Sequence, residues 1–591
     1  MIMSINKLNI KKHIILIFFC FFFINFNYGN SNFKNLDKKR FYLEPSHTKK
    51  FGTILVQDSN GRIKPMNTVA LELLRKISKT DHIQNIDANN WLLSFYKNDI
   101  YWFIYPFIKV NKKLGPKLLE LFKVNEDGYT CFINFYKNVT KYSDKKKKYE
   151  LIFKKELKEA FSKNPFERND FDKEIVDLFR TINMISNILK GKYIKIFPVP
   201  NNENMAWEPW INPKSNLENI LPFKEYLESL SYSKKTNNWD KPNQILDNII
   251  SFQKKNGLSL IPSNKKVKLE ILYNKLNINT FLMYSYIYLG IIILLYSFFR
   301  IFNKKKKINF INYILYILLY IFFLYHTFGL FIRWYVSSHA PWSNEYESII
   351  FISWCTLFSG LLLSKNKNLF VPGVSCITSS ILLFIAYFNL INPEITNLTP
   401  VLKSYWLIIH VAIIISSYGF LIVSSFLGLL VLIFLFLNKK IRKKRLEFII
   451  FELTIINELS MIIGLFFLTI GTFLGAIWAN ESWGTYWNWD PKETWALITI
   501  MVYVFILHMR FIPLFKGIYI FNFFSFLSLL SIVMTYFGVN YYLSGLHSYA
   551  KGENVNILYI FYILFIIIII IIILSFNDLL DHFIKKKKIN N

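Results

Sequence analysis

Between Trp478 and Ile498 the chain reads WANESWGTYWNWDPKETWALI, which crowds Trp478, Trp483, Trp487, Trp489 and Trp495 into one short stretch, five of the fourteen tryptophans in the sequence. An aromatic belt spreads such rings over the helix ends of a membrane protein. This density suits a platform for a flat, apolar ligand instead. Two histidines belong to the same neighbourhood, His410 in KSYWLIIHVAIIISSYGF and His547 in GVNYYLSGLHSYAKG. Neutral imidazoles on opposite faces of a porphyrin are axial ligands for haem iron, and they leave the porphyrin edge against indole. Either histidine alone reads equally well as an interfacial residue; beside the platform, the pair reads as a ligand set.

The residues that close the aromatic stretch spell a helix start. Asp490 suits the N-cap, Pro491 the first turn, and Glu493 completes a capping box. This structural reading of Asp490 stands beside a role toward the ligand. His508, on the helix that Asp490 opens, lies about 27 Å deeper at ~1.5 Å rise per residue, near the opposite membrane boundary. An ionisable group there is a functional candidate. Histidines at both ends of one bundle suggest a ligand collected on one side and presented on the other.

The elements that must position these residues are membrane helices. The chain of 591 residues is 53% hydrophobic and carries 70 Lys and Arg against 39 Asp and Glu, a formal charge of +31. In a soluble protein that excess suggests nucleic acid. Here the basic residues form knots between apolar runs, NKKKK at 303–307, NKKIRKKR at 438–445 and KKKK at 585–588. That is the positive-inside pattern of a polytopic membrane protein, with no nucleic acid as partner. The four cysteines, Cys20, Cys131, Cys355 and Cys376, form no C-x-x-C pair. A disulfide scaffold, a thiol relay, an iron–sulfur site and a covalent C-x-x-C-H haem site in this chain are thereby disfavoured.

Nine apolar runs approach the ~20 residues needed to cross a bilayer: 282–301, 310–333, 348–364, 370–391, 404–436, 455–478, 493–512, 515–542 and 556–577. Loops 303–307, 365–369, 438–447 and 510–516 and the tail after 583 share one side and hold nearly all the loop Lys and Arg. Loops 334–347, 392–403, 479–492 and 543–555 share the other. The basic side is the cytoplasm, and the aromatic stretch lies outside. Ahead of these runs, 1–29 reads as a membrane anchor or signal-like segment. Residues 30–279 are polar and long enough to bury a core of their own. The stretch FGTILVQDSNGRIKPMNTVALELLRKIS predicts a strand at 53–57, a turn at Asp58–Gly61, and a helix from Asn67 or Thr68 with Leu71, Leu74 and Ile77 on one face. His47 and His82 read as surface histidines, and no catalytic constellation stands out. The expected architecture is an all-α polytopic membrane protein, with about nine C-terminal transmembrane helices plus one N-terminal anchor, and an extracytoplasmic α+β domain over 30–279. The polytopic part runs over 280–580 and a basic tail over 581–591.

WGTYWNWDPKETWAL resembles the tryptophan-rich WWD motif of the haem-handling proteins of cytochrome c maturation. The specific resemblance is to the CcsA (ResC) family, which works with CcsB (ResB). RWYVSSHAPWSNEYESIIFISW at 333–354 and the surroundings of His410 and His547 also look like family segments. The resemblance covers 280–580, and the placing of His410, His508 and His547 around the motif favours CcsA over the related CcmC and CcmF. Residues 51–76 resemble the linker ahead of the CcsA part in fused CcsB–CcsA proteins.

The resemblance implies that His410 and His547 are external axial ligands of haem iron. It implies that Trp483, Trp487, Trp489 and Asp490 hold the exposed haem, and that His508 is one of two transmembrane histidines taking haem from the cytoplasmic side. Haem b would be substrate and transient ligand, and an apocytochrome c with a C-x-x-C-H site the acceptor. The chain would be a subunit of a cytochrome c synthase (haem lyase) in the bacterial cytoplasmic (inner) membrane, with 30–279 and the motif loop on the periplasmic side. The alternatives are a haem exporter without attachment activity and a b-haem structural subunit of a respiratory complex. This sequence shows no multi-span CcsB portion, so a separate CcsB-like membrane protein is the expected source of the second transmembrane histidine, with His13 as the alternative. His326 lies at the wrong depth for that role, and His339 reads as a loop hydrogen-bonding residue, with a haem-proximal role as the alternative.

Overall fold

The computed structural model describes residues 41–546, interrupted at 42, 98, 140–147, 165–166, 200–205, 212–222, 258–260, 303–308, 365–367, 388–392, 399–403, 442, 514 and 544, together with residue 566. The expected anchor, the ninth span apart from residue 566, the basic tail, His13 and His547 lie outside the described residues. The chain divides into two units, one up to Ile271 and one from Leu272.

In the first unit, helix α1 (Pro45–Phe51) leads into β1 (Leu55–Gln57), β2 (Ile63–Pro65) and α2 (Met66–Ser78). The turn forms where Asp58-Ser-Asn-Gly predicts it. Asp58 Oδ1 accepts the backbone N–H groups of Asn60 and Arg62, both at 2.9 Å, and Gly61 takes the left-handed φ of 79°. Farther along come α3 (Asp170–Leu189), β3 (Lys195–Pro198), β4 (Trp207–Pro209), α4 (Phe223–Thr236) and α5 (Asp240–Asn256). The sheet is antiparallel in the order β4-β3-β1-β2. Strands β1 and β3 pair only at Gln57 and Lys195. The buried side chain of Gln253 on α5 supplies what the ladder lacks: it donates to Leu55 O and Ile196 O and accepts from Leu55 N–H. Among the described residues helices carry most of this unit, and the remaining strands pair in three short two-stranded ladders.

Two expectations for this unit need correcting. The buried stripe of α2 runs through Met66, Val69, Ala70, Leu73, Leu74 and Ile77, the i, i+3, i+4, i+7 spacing of one helix face, and Leu71 sits half-buried at its margin. His47 is not a surface residue but fully buried. Its Nδ1–H donates to Asn243 Oδ1 at 2.7 Å, the Tyr226 hydroxyl donates to Nε2 at 2.9 Å, and its ring lies against Trp239. These partners come from α4 and α5, far along the chain, and no local pattern marks them.

In the second unit, eight helical segments among the described residues are long and apolar enough to cross a membrane. They contain α6 (Ile278–Phe302), α7 (Asn309–Ser337), α8 (Glu345–Leu363), α9 (Phe370–Tyr387), α10 (Tyr405–Ile441), α11 (Lys444–Trp483), α12 (Pro491–His508) and α13 (Ile518–Leu527). Beyond α13 the segment continues to Tyr542 through a π turn at Met534–Gly538. This is the polytopic fold that the apolar runs predict. Helix α11 starts well before its apolar run because Leu446, Ile450 and Leu453 continue a buried face among charged residues.

Several polar groups inside the bundle pair with one another, as a medium without water favours. Ser424 Oγ donates to Asn457 Oδ1 at 2.7 Å, Asn457 Nδ2 to Asn522 Oδ1 at 2.9 Å, and Asn522 Nδ2 to Thr454 Oγ1 at 3.0 Å. These bonds lock α10, α11 and α13 together. The turn from α7 to α8 is held by a buried ion pair, Arg333 Nε to Glu347 Oε1 at 2.8 Å. Removing one partner of such a pair costs about 3–5 kcal/mol, because the other charge stays buried alone.

Burial holds the His47 imidazole below its ordinary pKa of 6.5, and the Asn243 hydrogen bond offsets this only in part. The unfolded chain therefore takes up a proton near pH 6.5 that the folded chain resists. Stability from this group is complete above that pH and declines as pH falls toward the lowered folded value. Thermal melting of the full chain in detergent should drop by a few degrees from neutral to mildly acidic pH, and by less in His47→Gln. An equal drop in both would remove His47 as the cause.

Candidate functional site

The aromatic segment is the connection between α11 and α12. Helix α11 ends at Trp483 because Gly484 adopts the left-handed conformation (φ 79°) and returns its N–H to Asn480 O. Asp490 then opens α12. Its Oδ2 accepts Lys492 N–H at 3.2 Å, while Glu493 Oε2 accepts the N–H groups of Asn488 at 2.9 Å and Asp490 at 3.3 Å. The capping box read from the sequence is formed. An N-cap of this kind contributes about 1 kcal/mol.

The box also decides where an indole points. One carboxylate oxygen grips the amides on either side of Trp489, which forces that residue to φ 55°. The left-handed region costs a residue with a Cβ roughly 1–2 kcal/mol. With its backbone held this way, Trp489 stands 71% exposed, its ring edge-on to Trp487 at 5.8 Å. Tyr486 beside it is exposed as well.

His410 approaches the same segment from α10. Its ring lies nearly parallel to Trp478, 6.2 Å between centroids and 9° between planes, and Trp478 meets Trp483 edge-on at 4.8 Å. His410 Nδ1 is 3.1 Å from Gly471 O. A carbonyl can only accept, so Nδ1 carries the proton and the lone pair is on Nε2. The ring fits there because α11 presents glycine: a Cβ at Gly475 would stand 2.7 Å from His410 Nδ1. From the connection ahead of α8, Trp342 Nε1 donates to Ile408 O at 3.1 Å, which ties the 333–354 segment to the helix that carries His410.

Asp490 has a further partner. Its Oδ1 accepts Leu546 N–H at 2.5 Å, and it is buried to 5% exposure. His547 follows Leu546 directly in sequence but lies outside the described residues. The segment leading there is also tied through Tyr541, whose hydroxyl donates to Glu345 Oε2 at 2.9 Å.

His508 sits at the far end of α12, exposed, with Nδ1 2.8 Å from Val504 O, so its lone pair is likewise on Nε2. Next to it Arg510 pairs with Glu458 of α11 and covers the ring of Phe521 on α13. His326 is fully buried in α7 with Nδ1 3.2 Å from the Tyr286 hydroxyl. His339 Nδ1 donates to Ala340 O at 3.2 Å, the loop hydrogen bond expected of it.

The structure thus joins His410 to Trp478 and Trp483, pairs Trp487 with Trp489, and ties Asp490 to the residue before His547. Reading by residue type missed Gly471 and Gly475 as the seat of His410. Their i, i+4 spacing in GTFLG, within an apolar run, is the signal for a close helix approach. A planar ligand with an axial coordination site suits this set of groups: a neutral imidazole with its lone pair on Nε2 and several exposed or half-buried indoles.

Comparison with known proteins matches residues 342–547 to the cytochrome C assembly protein family. Over 511 residues, 86% of this chain, it is 37% identical to protein NrfI of Wolinella succinogenes, and it covers 55% of that protein. It is 40% identical over 226 residues to the cytochrome c biogenesis protein CcsA of Chlamydomonas reinhardtii, covering 64% of it. With CcsA of Guillardia theta the identity is 38% over 243 residues and the coverage 79%. The chain thus spans between half and two thirds of the length of the first two of these relatives.

The seat of His410 is testable without any ligand. Gly475→Val places side-chain atoms where the imidazole lies and should turn the ring away from Gly471 O. Modification of His410 by diethylpyrocarbonate, followed by mass spectrometry, should then run several-fold faster than in the parent protein. An unchanged rate would mean that the glycine does not hold the ring.

Proposed function

This chain belongs to the CcsA family of cytochrome c assembly proteins, and from that premise we propose that its membrane unit receives haem and presents it at the aromatic end for covalent attachment to apocytochrome c. The observation that carries this reading is the seat of His410. The ring nitrogen bearing the proton is fixed by a backbone carbonyl, which orients a ligating histidine and raises its basicity. The ring is stacked on an indole that leads into the aromatic segment.

In this reading His410 and His547 hold the iron axially, while Trp483, Trp487 and Trp489 carry the porphyrin edge and exclude water from its faces. Bound haem supplies two vinyl groups, and the S–H of each thiol in the C-x-x-C-H site adds across one of them, sulfur to one carbon and hydrogen to the other. No side chain of this protein needs to act as a covalent nucleophile. Its contribution is orientation, which can account for a large part of the acceleration when the reacting groups are held in register.

His508 takes haem at the cytoplasmic side, which the basic loop residues assign to its end of α12. Its exposure leaves a ring that a histidine of another helix can face across the iron. That supports a CcsB-like membrane protein as partner and as source of the second ligand. The first unit, with a core of its own and on the periplasmic side in this orientation, is the natural docking element for that partner.

Replacing His410 or His547 with Gly should lower haem recovered with the purified protein several-fold, and millimolar imidazole should restore much of it by filling the vacated position. Undiminished haem in the doubly substituted protein sinks the ligand assignment.

His508→Ala should insert in the membrane as the parent does and contain little haem, because the outer site then goes unfilled. A fully loaded variant would mean that haem arrives by another route, such as laterally from the outer leaflet.

A further inference from the structure

The carboxylate of Asp490 sits within the tryptophan motif, where a direct contact with haem is the first expectation. Its surroundings say otherwise. Asp490 is buried, one oxygen caps α12 through Lys492 N–H, and the other accepts the backbone N–H of Leu546. Both oxygens are engaged with backbone, while the indole on its N-terminal side, Trp489, is turned outward. The approach to Leu546 is so close that a Cβ on Gly545 would stand 2.1 Å from Asp490 Oδ1 and 2.8 Å from Pro491 Cδ. Only a residue without a side chain lets the returning backbone reach the carboxylate.

We infer that Asp490 is a positioning residue that latches the Gly545–Leu546 turn onto the start of α12, and thereby sets where the segment bearing His547 begins relative to the aromatic loop. The inference rests on the reading of His547 as a haem ligand. His547 follows Leu546 directly in the sequence. A second tie, from Tyr541 to Glu345 on α8, holds the same segment a few residues earlier. The two ties refer the segment to α8 and α12. Asp490 thus carries two ties, one oxygen capping α12 and the other accepting Leu546 N–H.

A latch and a direct haem contact predict different behaviour. The full chain is purified in detergent and haem per protein is read from its absorbance, with and without imidazole. Asp490→Ala should lose haem several-fold, imidazole should restore it as it does for His547→Gly, and the double variant should recover no less haem than His547→Gly alone. Asp490→Asn keeps an acceptor oxygen and should regain most of what Asp490→Ala loses. Gly545→Ala, which leaves Asp490 in place but blocks the approach, should reproduce the loss, and in the Asp490→Ala background it should add nothing.

If imidazole restores His547→Gly but not Asp490→Ala, or if Asp490→Asn is as poor as Asp490→Ala, the carboxylate acts on haem itself and the latch is refuted. If imidazole does not restore His547→Gly either, the ligand assignment of His547 fails first and the latch falls with it. Gly545→Ala with undiminished haem overturns the latch alone.

Discussion

The close approach of α10 and α11 is the constraint from which the rest of the site follows. Three glycines of α11 face α10. A Cβ at Gly464 would fall 2.6 Å from Leu421, one at Gly471 2.5 Å from Ile414, and one at Gly475 2.7 Å from His410. The partner numbers fall as the glycine numbers rise, the register of an antiparallel pair. In a membrane the hydrophobic effect does not drive helices together, so van der Waals contact between backbones must do it, and small residues permit that contact. The imidazole occupies the last step of this seam. Its orientation is a by-product of helix packing, and the carbonyl that selects its tautomer becomes reachable only because the backbones are so near.

The second constraint is the helix start at Asp490. The local requirement is ordinary: the first amides of α12 need acceptors, and Asp490 and Glu493 supply them. The consequence is not local. Satisfying those amides fixes Trp489 in a left-handed conformation with its ring outward, and it leaves one carboxylate oxygen for Leu546. Capping, ring presentation and loop attachment are therefore one arrangement of atoms, and a residue that caps a helix here need not touch the ligand to matter to it.

His410 on α10 and His508 at the end of α12 share one device. His410 and His508 each hold Nδ1 near a backbone carbonyl, Gly471 O on a neighbouring helix and Val504 O one turn back on its own. In both, the lone pair is therefore on Nε2. The surroundings differ: His410 is packed between an indole and a glycine seam, whereas His508 is exposed beside Arg510 and Phe511. Between them the Ser424, Asn457 and Asn522 network holds α10, α11 and α13 in one register.

Several features of this protein were settled by its sequence alone. Eight apolar runs appear as helices, most of them close to their expected bounds and α11 starting well before its run, because a span across a bilayer needs ~20 apolar residues in a helix. The capping box was legible because its partners are three residues apart, and the Asp58 turn because its partners are two and four residues away. What only the tertiary structure decided involves residues distant in sequence. His47 passed for a surface histidine because its partners, Tyr226 and Asn243, lie on helices that nothing near position 47 announces. Residue type alone could nominate His410 as a ligand, but the proton on its Nδ1 follows from Gly471 on another helix. Asp490 carried two readings in the sequence, and the hydrogen bond from Leu546 belongs to a third that neither of them contains. Short-range patterns record what a residue needs from its own helix, whereas a contact between helices exists only once both are packed.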